Sequence, residues 1–210
     1  MKRVAIIGSG DLARLVVHNI NIIGNQNVIG IYDDFVDIGT NISGLLVIGR
    51  LDEVLEDYQN NKFDFLFIAV GYSRMNYRAE TFNRFKSIIP FTNVIHKSCI
   101  IDPSVKLGEG VFLFSGVLLD QNVVIKDNVL LNVGVTIAHD SQIGEHCFFG
   151  PRVNLAGFVK IDKMGYFGIN STVIDNINVC PSVKVGAGAV ITKNIEVEGL
   201  YVGVPAKKIK

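Results

Sequence analysis

The sequence has no excess of either charge: lysine plus arginine total 20, and aspartate plus glutamate total 20. A nucleic-acid partner would select for a basic face, so that balance argues against one. No apolar run approaches the ~20 residues that cross a bilayer, and no membrane span is expected. The opening residues, Met1-Lys2-Arg3-Val4, run into strand-like sequence without a signal-peptide layout. A soluble, cytoplasmic protein is the expectation. Cysteine is scarce: Cys99, Cys147 and Cys180 are odd in number and lack metal-ligand spacing. They read as small packing residues, and no metal is expected. Apolar residues, in contrast, make up 49% of the chain. That is enough to bury a sizeable core in one large domain or two small ones.

From Ile95 onward the chain repeats every six residues. Stepping by six gives Ile95, Ile101, Leu107, Leu113, Leu119 and Ile125, continuing to Val185 and Ile191; all 17 positions are apolar and the register never slips. A second series lies four residues later, from Cys99, Val105 and Val111 to Ile195, and is small or β-branched almost throughout. A helix cannot produce this pattern, because six is not a multiple of 3.6. A solenoid of short parallel strands can. Each hexad forms one side of a coil, and three hexads, 18 residues, close a triangle. Successive coils then stack at the strand spacing of roughly 4.8 Å. Glycine, aspartate and asparagine, as in Leu107-Gly108-Glu109-Gly110 and Lys126-Asp127-Asn128, gather where corners are needed.

The first ninety residues read differently. Val4–Ile7 is a buried strand, Gly8-Ser9-Gly10-Asp11-Leu12-Ala13 a glycine turn, and Leu12, Leu15, Val16 and Ile20 follow at helical spacing. That βα unit is suited to cradling phosphate. Strands are expected over Val28–Tyr32, Leu45–Ile48 and Phe63–Val70, and helices over Leu51–Gln59 and Asn76–Ser87. Alternating elements imply a small parallel, Rossmann-like sheet. The expected division is an α/β domain over 1–93 and an all-β parallel helix over 94–210. Gly8, Gly10 and Ala13 fit a dinucleotide fingerprint, with Asp33 or Asp34 about 25 residues on, so an NAD-dependent enzyme is one reading. Against it, the domain has room for only one mononucleotide-binding half, and a β-helix follows where a hydride-transfer domain is needed. A non-catalytic β-helical scaffold is another reading.

The hexad pattern resembles the hexapeptide-repeat acyltransferases, whose helix is left-handed and which usually form trimers. Over its whole length the chain resembles the sialic-acid O-acetyltransferase and bacillosamine-type sugar N-acetyltransferase family. The resemblance implies an N-terminal domain that binds a nucleotide-linked sugar through Gly8, Ser9, Gly10, Asp11 and Leu12, where the family motif reads G-A-G-G-H-A. The family histidine falls on Leu12, so that contact is missing. The acidic pair after the second strand matches Asp33 and Asp34, and a glycine before the next helix matches Gly49. Gly71, Tyr72, Asn76 and Arg78 fall where the sheet's carboxyl edge would face a ligand, and Arg74 or Arg78 fits a diphosphate.

In the repeat, Ala138-His139-Asp140 matches the family's catalytic histidine and the acid that follows it. The resemblance makes His139 the general base and Asp140 its partner. On a straight strand, neighbouring side chains point to opposite faces. Asp140 therefore reaches His139 only if the corner turns it back or if it acts through a neighbouring subunit. Gly157 lies 18 residues after His139, at the same angle one coil on. It matches the glycine whose amide contacts the thioester oxygen. The family's second histidine, near the coenzyme, falls on Phe148. His146 sits two residues away at a different phase, and its role is open. The pantetheine arm is expected along the coils at Ala187, with Ile169 a weaker candidate. The ending Gly203-Val204-Pro205-Ala206-Lys207-Lys208 is typical of enzymes using acetyl-coenzyme A, with Lys207 meeting coenzyme phosphates. The implied reaction is acetyl transfer from acetyl-coenzyme A to a UDP- or dTDP-linked 4-amino-4,6-dideoxy sugar. It would serve surface polysaccharides such as O-antigen or lipopolysaccharide. O-acetylation of a sialic-acid type sugar is the alternative.

Overall fold

A computed structural model describes residues 1–210, and its contacts divide the chain into two compact units, Met1–Val94 and Ile95–Lys210. The first unit runs β1 (Lys2–Ile7), α1 (Asp11–Ile23), β2 (Gln26–Tyr32), β3 (Asn41–Ile42), β4 (Leu45–Gly49), α2 (Val54–Gln59), β5 (Phe65–Ile68) and α3 (Met75–Phe85). A short 3-10 turn, Tyr72–Arg74, precedes α3. Strand order is β3-β4-β2-β1-β5. Val4, Ala5, Ile6 and Ile7 are at most 1% exposed. β1 lies inside the sheet between β2 and β5, and an inner strand of a parallel sheet is covered on both faces, so a continuous apolar run is what that position demands. Helix α1 turns Ala13, Val16, Val17 and Ile20 inward. It ends at Gly24, whose left-handed backbone (φ 75°) lets its N–H cap the Ile20 carbonyl.

Four details depart from the sequence expectations. The sheet is not wholly parallel, because β3 pairs antiparallel with β4 and forms a hairpin edge. Helix α2 begins at Val54 rather than Leu51: the Leu51 N–H is taken by Asp34 Oδ1 at 2.8 Å, and Glu53 Oε2 accepts the Arg50 N–H at 2.6 Å. Strand β5 is shorter than Phe63–Val70, because Asp64 is drawn aside to grip Arg3, with 3.0 Å to the backbone N and 2.6 Å to Nη2. Helix α3 closes at Phe85, whose carbonyl takes the N–H groups of Ile88 and Ile89 just before Pro90.

The second unit is the parallel β-helix. Its two-residue strands pair with strands 18 residues away, as Leu118↔Thr136, Thr136↔Asn154 and Asn154↔Thr172 do. Three sheets result, one per face; the expected 18-residue coil holds as far as Ile191, and the last turn is two residues shorter, pairing Lys184 with Leu200 and Val179 with Ile195. Both apolar series point inward: Leu119, Ile125, Leu131, Ile137, Ile143, Phe149 and Leu155 are at most 2% exposed, and Val117, Val123, Val129, Val135 and Val153 are fully buried. Phe149 and Phe167 stack in adjacent coils with centroids 4.7 Å apart. The serine in the small series, Ser141, is satisfied inside the core by the Ala156 carbonyl at 3.0 Å and the Val159 N–H at 3.1 Å. Corners are made by residues in the left-handed region, among them Asn122, Asn128, Asp140, Asn170 and Asn176, with φ between 55° and 60°. The hairpin Leu200–Val202 with Lys207–Lys208 closes one sheet.

Candidate active site

His139 and Asp140 leave the strand Thr136–Ile137 at a corner of the β-helix. Asp140 has φ 59°, a conformation an aspartate tolerates. That backbone step turns its carboxylate back on its own neighbour, and Oδ2 lies 3.0 Å from His139 Nδ1. The sequence left two routes open for this contact, and the geometry takes the one within the chain. Asp140 Oδ1 accepts a second bond from Asn122 Nδ2, one coil back, at 3.1 Å. These bonds, His139 first and Asn122 second, hold the Asp140 carboxyl below the usual carboxylate range. An anionic Asp140 favours the tautomer with the proton on Nδ1, leaving Nε2 as a free base.

Gly157 lies directly against that ring. A Cβ there would stand 2.7 Å from His139 Cε1 and 2.8 Å from Nε2. The position therefore admits no side chain while the imidazole stays in place. The amides on either side are bound, Ala156 N–H to Val173 O at 3.0 Å and Phe158 N–H to His139 O at 3.1 Å, and Gly157 N–H lies between them with no acceptor in the chain. A free donor beside a base is what a developing oxyanion requires. Phe158 completes the group, its ring edge-on to His139 with centroids 5.1 Å apart. The sequence reading missed it. Its signal was a phenylalanine in a corner column that otherwise reads Asn122, Asp140 and Asn176.

The remaining coenzyme candidates separate into two groups. Ile169 and Ala187 are exposed at a different corner and share the free-amide geometry. Gly168 and Asn170 donate to Val185 O and Pro151 O, Gly186 and Gly188 to Tyr201 O and Ile169 O, and the amides between them are unbound. This corner and the His139 corner flank the same face, built from Thr136–Ile137, Asn154–Leu155 and Thr172–Val173. Phe148, by contrast, sits on another face, buried and stacked parallel on Tyr166 at 5.4 Å. Lys207 is exposed on the closing hairpin. His146 is a buried corner residue, its Nδ1 3.0 Å from Asn128 Nδ2. His96 holds Ser98 Oγ at 2.8 Å and His18 is exposed on α1. All three cysteines are free thiols; burial, the largest influence on it, pushes the Cys147 thiol up to about 12. No group of three or more histidine, cysteine, aspartate or glutamate side chains is placed to hold a metal ion.

In the first unit the candidates gather at the carboxyl edge of the sheet. The order β4-β2-β1-β5 reverses direction at β1. The loops after β1 and β5 therefore diverge, the place where open α/β sheets bind ligands. Gly8, Ser9, Gly10 and Asp11 follow β1, Asp33 and Asp34 follow β2, and Gly71 and Tyr72 follow β5. Gly8 has φ 99° and its N–H bonds Tyr32 O at 2.9 Å, tying the first loop to the second strand. Nothing stands within 4 Å of a Cβ built on Gly10 or Gly71. Gly49 is held to glycine by the Tyr32 ring and Glu53, 3.0 and 2.8 Å from such a Cβ. Leu12 is half-buried at the start of α1, while Tyr72 and Asn76 are exposed.

The two acids divide. Asp33 is buried and committed: Oδ2 accepts Ser9 N–H at 2.8 Å and Ser9 Oγ at 2.7 Å, and Oδ1 accepts Phe35 N–H at 2.8 Å. Asp34 is exposed and has given one oxygen to Leu51 N–H. The two arginines divide as well. Arg74 is exposed and lies 5.3 Å over the Phe35 ring. Arg78 on α3 is 2% exposed, and its Nε and Nη2 have no partner. Burial lowers its guanidinium to about 10, so it stays charged at neutral pH. A buried cation without a counter-ion is costly by several kcal/mol, and its chemical complement is an anion.

Residues 3–85 match the family described as the PglD N-terminal domain, and residues 122–157 match the bacterial transferase hexapeptide family, six repeats. Among solved structures, the chain is similar to GDP-perosamine N-acetyltransferase from Caulobacter crescentus, in a histidine-to-alanine variant in complex with CoA and GDP-perosamine. Identity is 30%, the TM-score 0.89, and the match covers 100% of this chain and 98% of that one. It is also similar to the acetyltransferase domain of PglB from Neisseria gonorrhoeae, 26% identical with TM-score 0.88 over the full length of both chains. A serine acetyltransferase of Synechococcus elongatus is 28% identical over 117 residues, and the chain spans 41% of that protein's length.

Proposed function

This chain belongs to the hexapeptide-repeat sugar acetyltransferase family, and on that premise we propose that it transfers an acetyl group from acetyl-coenzyme A to the amine of a nucleotide-linked 4-amino-4,6-dideoxy sugar. The observation that carries the reading is the corner where His139 Nδ1 is held by Asp140 at 3.0 Å while the Cε1–Nε2 edge of the ring lies against Gly157, a residue whose amide has no acceptor in the chain. The acceptor nitrogen attacks the thioester carbonyl carbon. His139 Nε2 takes the proton that the nitrogen must lose. The carbonyl oxygen gains negative charge beside Gly157 N–H. The C–S bond then breaks and the coenzyme thiolate leaves, protonated by the imidazolium or by water. Histidine suits the task because its neutral form is present near pH 7. No nucleophile of the protein takes part, so no acyl-enzyme forms.

The coenzyme's pantetheine arm would use the exposed free amides at Ile169 and Ala187, with Lys207 toward its phosphates. Phe148 is buried against Tyr166 and is a weaker contact than the family histidine it replaces. The protein would act as a homotrimer, the usual state in the family, in the cytoplasm, for surface glycans such as O-antigen. The test is a mass-spectrometric screen of UDP-, dTDP- and GDP-linked amino sugars with acetyl-coenzyme A. A product heavier by one acetyl group on the sugar amine is the expected result. Acetyl found on a hydroxyl instead would turn the reading to O-acetylation.

The nucleotide end of the acceptor is assigned to the first unit, with Gly8, Ser9, Gly10 and Asp11 toward phosphate and Asp34 toward the nucleoside. Leu12, Gly49, Gly71, Tyr72 and Asn76 would shape its walls, and Arg78 would meet the diphosphate. Because both Asp33 oxygens are bound within the chain, Asp34 is the acid free to meet a ligand. Asp34→Ala is expected to weaken the nucleotide sugar roughly 10- to 150-fold, the loss of one charge-assisted hydrogen bond of about 1.5–3 kcal/mol. Acetyl-coenzyme A affinity should stay unchanged in a parallel calorimetric titration. If coenzyme binding fell and sugar-nucleotide binding held, the first unit would be a cofactor domain, and the NAD-dependent reading would return.

A further inference from the structure

Four residues occupy one corner column of successive coils: Asn122, Asp140, Phe158 and Asn176, with φ 59°, 59°, 59° and 60°. Asparagine and aspartate tolerate this left-handed backbone best; the other corners of the β-helix use it too, with His146, Arg152 and Met164 among them, so what sets Phe158 apart is where its ring lies. Burial does not compensate Phe158, whose exposure is 50%. Its ring is instead set edge-on against His139, with centroids 5.1 Å apart and planes at 88°. It follows directly on Gly157, whose amide is free. A phenyl offers neither donor nor acceptor, so the surface it lays beside the base complements an apolar group.

We propose that Phe158 sets acceptor specificity by packing against the C6 methyl of a 6-deoxy sugar. This rests on the acetyl-transfer reading of the His139 site. The geometry of the acceptor agrees: the amine on C4 meets the base, and C5, which carries the methyl, is the next ring carbon. A 6-hydroxyl in that place would be stripped of water against the phenyl without a hydrogen-bond partner, which is unfavourable.

The test uses Phe158→Asn, because asparagine already holds the same corner in the coils at Asn122 and Asn176. The variant should fold with a thermal midpoint equal to or above the wild type, since the backbone strain is relieved. Wild-type kcat/KM should favour a 4-amino-4,6-dideoxy acceptor over its 6-hydroxy counterpart by about 10- to 100-fold. In Phe158→Asn that ratio should collapse toward one, with the acceptor KM raised and the coenzyme KM unchanged. A variant that keeps the wild-type preference overturns the proposal, as does one whose only change is oligomeric state by sedimentation. A wild type that acetylates both acceptors equally overturns this inference and leaves the function standing. One that acetylates no amino sugar overturns both.

Discussion

Replacing His139 with asparagine is expected to lower kcat by roughly 10²–10⁴-fold, the usual contribution of a positioned general base, while the protein folds and melts like the wild type. The side chain is 47% exposed and lies outside the core of the β-helix, so its loss opens no cavity. Asparagine retains an amide able to reach Asp140 but has no basic nitrogen to take the acceptor's proton. Coenzyme affinity should survive, because the free amides assigned to the pantetheine arm belong to another corner. Steady-state rates beside circular dichroism and a melting curve decide the matter. A correctly folded variant with near-wild-type turnover would remove His139 from the mechanism.

Gly157→Ala should be nearly as damaging, for a different reason. The new methyl would occupy space 2.7 Å from His139 Cε1 and 2.8 Å from Nε2. What must yield is the free end of a half-exposed side chain rather than backbone, so folding should suffer little. The imidazole, however, can make room only by rotating off Asp140 or away from the acceptor. The same methyl would crowd the approach to the Gly157 amide. Misplacing a base by an ångström and obstructing an oxyanion donor each reach about 10²-fold. The expected fall in kcat/KM is therefore roughly 10²–10³-fold, with an unchanged melting temperature. Large destabilisation with normal turnover in the surviving fraction would make Gly157 a packing residue only.

The two units were unequally legible. In the β-helix each residue's direction follows from its own place in the hexad, so Leu131, Val135 and Ile137 could be assigned to the interior one by one. Stacking by translation also carries each residue onto the one 18 positions later, as Thr136 onto Asn154. That is why His139 and Gly157 could be paired from spacing alone. The α/β unit offered no such rule. Its element types followed from periodicity and glycine turns, but its ends were set by side chains far apart in sequence. Asp34 takes the Leu51 N–H and moves the start of α2, and Arg3 holds Asp64 and shortens β5. The hairpin of β3 on β4 escaped notice because a two-residue strand carries no alternation to read.

By itself, the sequence determined the solenoid, its period, its apolar interior and the βα glycine turn, because all of these depend on local pattern or on a fixed repeat, whereas His139 came forward as the candidate base through the family resemblance. The tertiary structure decided what the corners do. It put Asp140 in the left-handed region, so that its carboxylate returns to the His139 ring rather than pointing to the opposite face. It committed both oxygens of Asp33 and left Asp34 exposed, buried Arg78 without a partner, and stood Phe158 against the base. These outcomes depend on backbone dihedrals and on neighbours from other elements, and neither is encoded in the spacing of residue types along the chain.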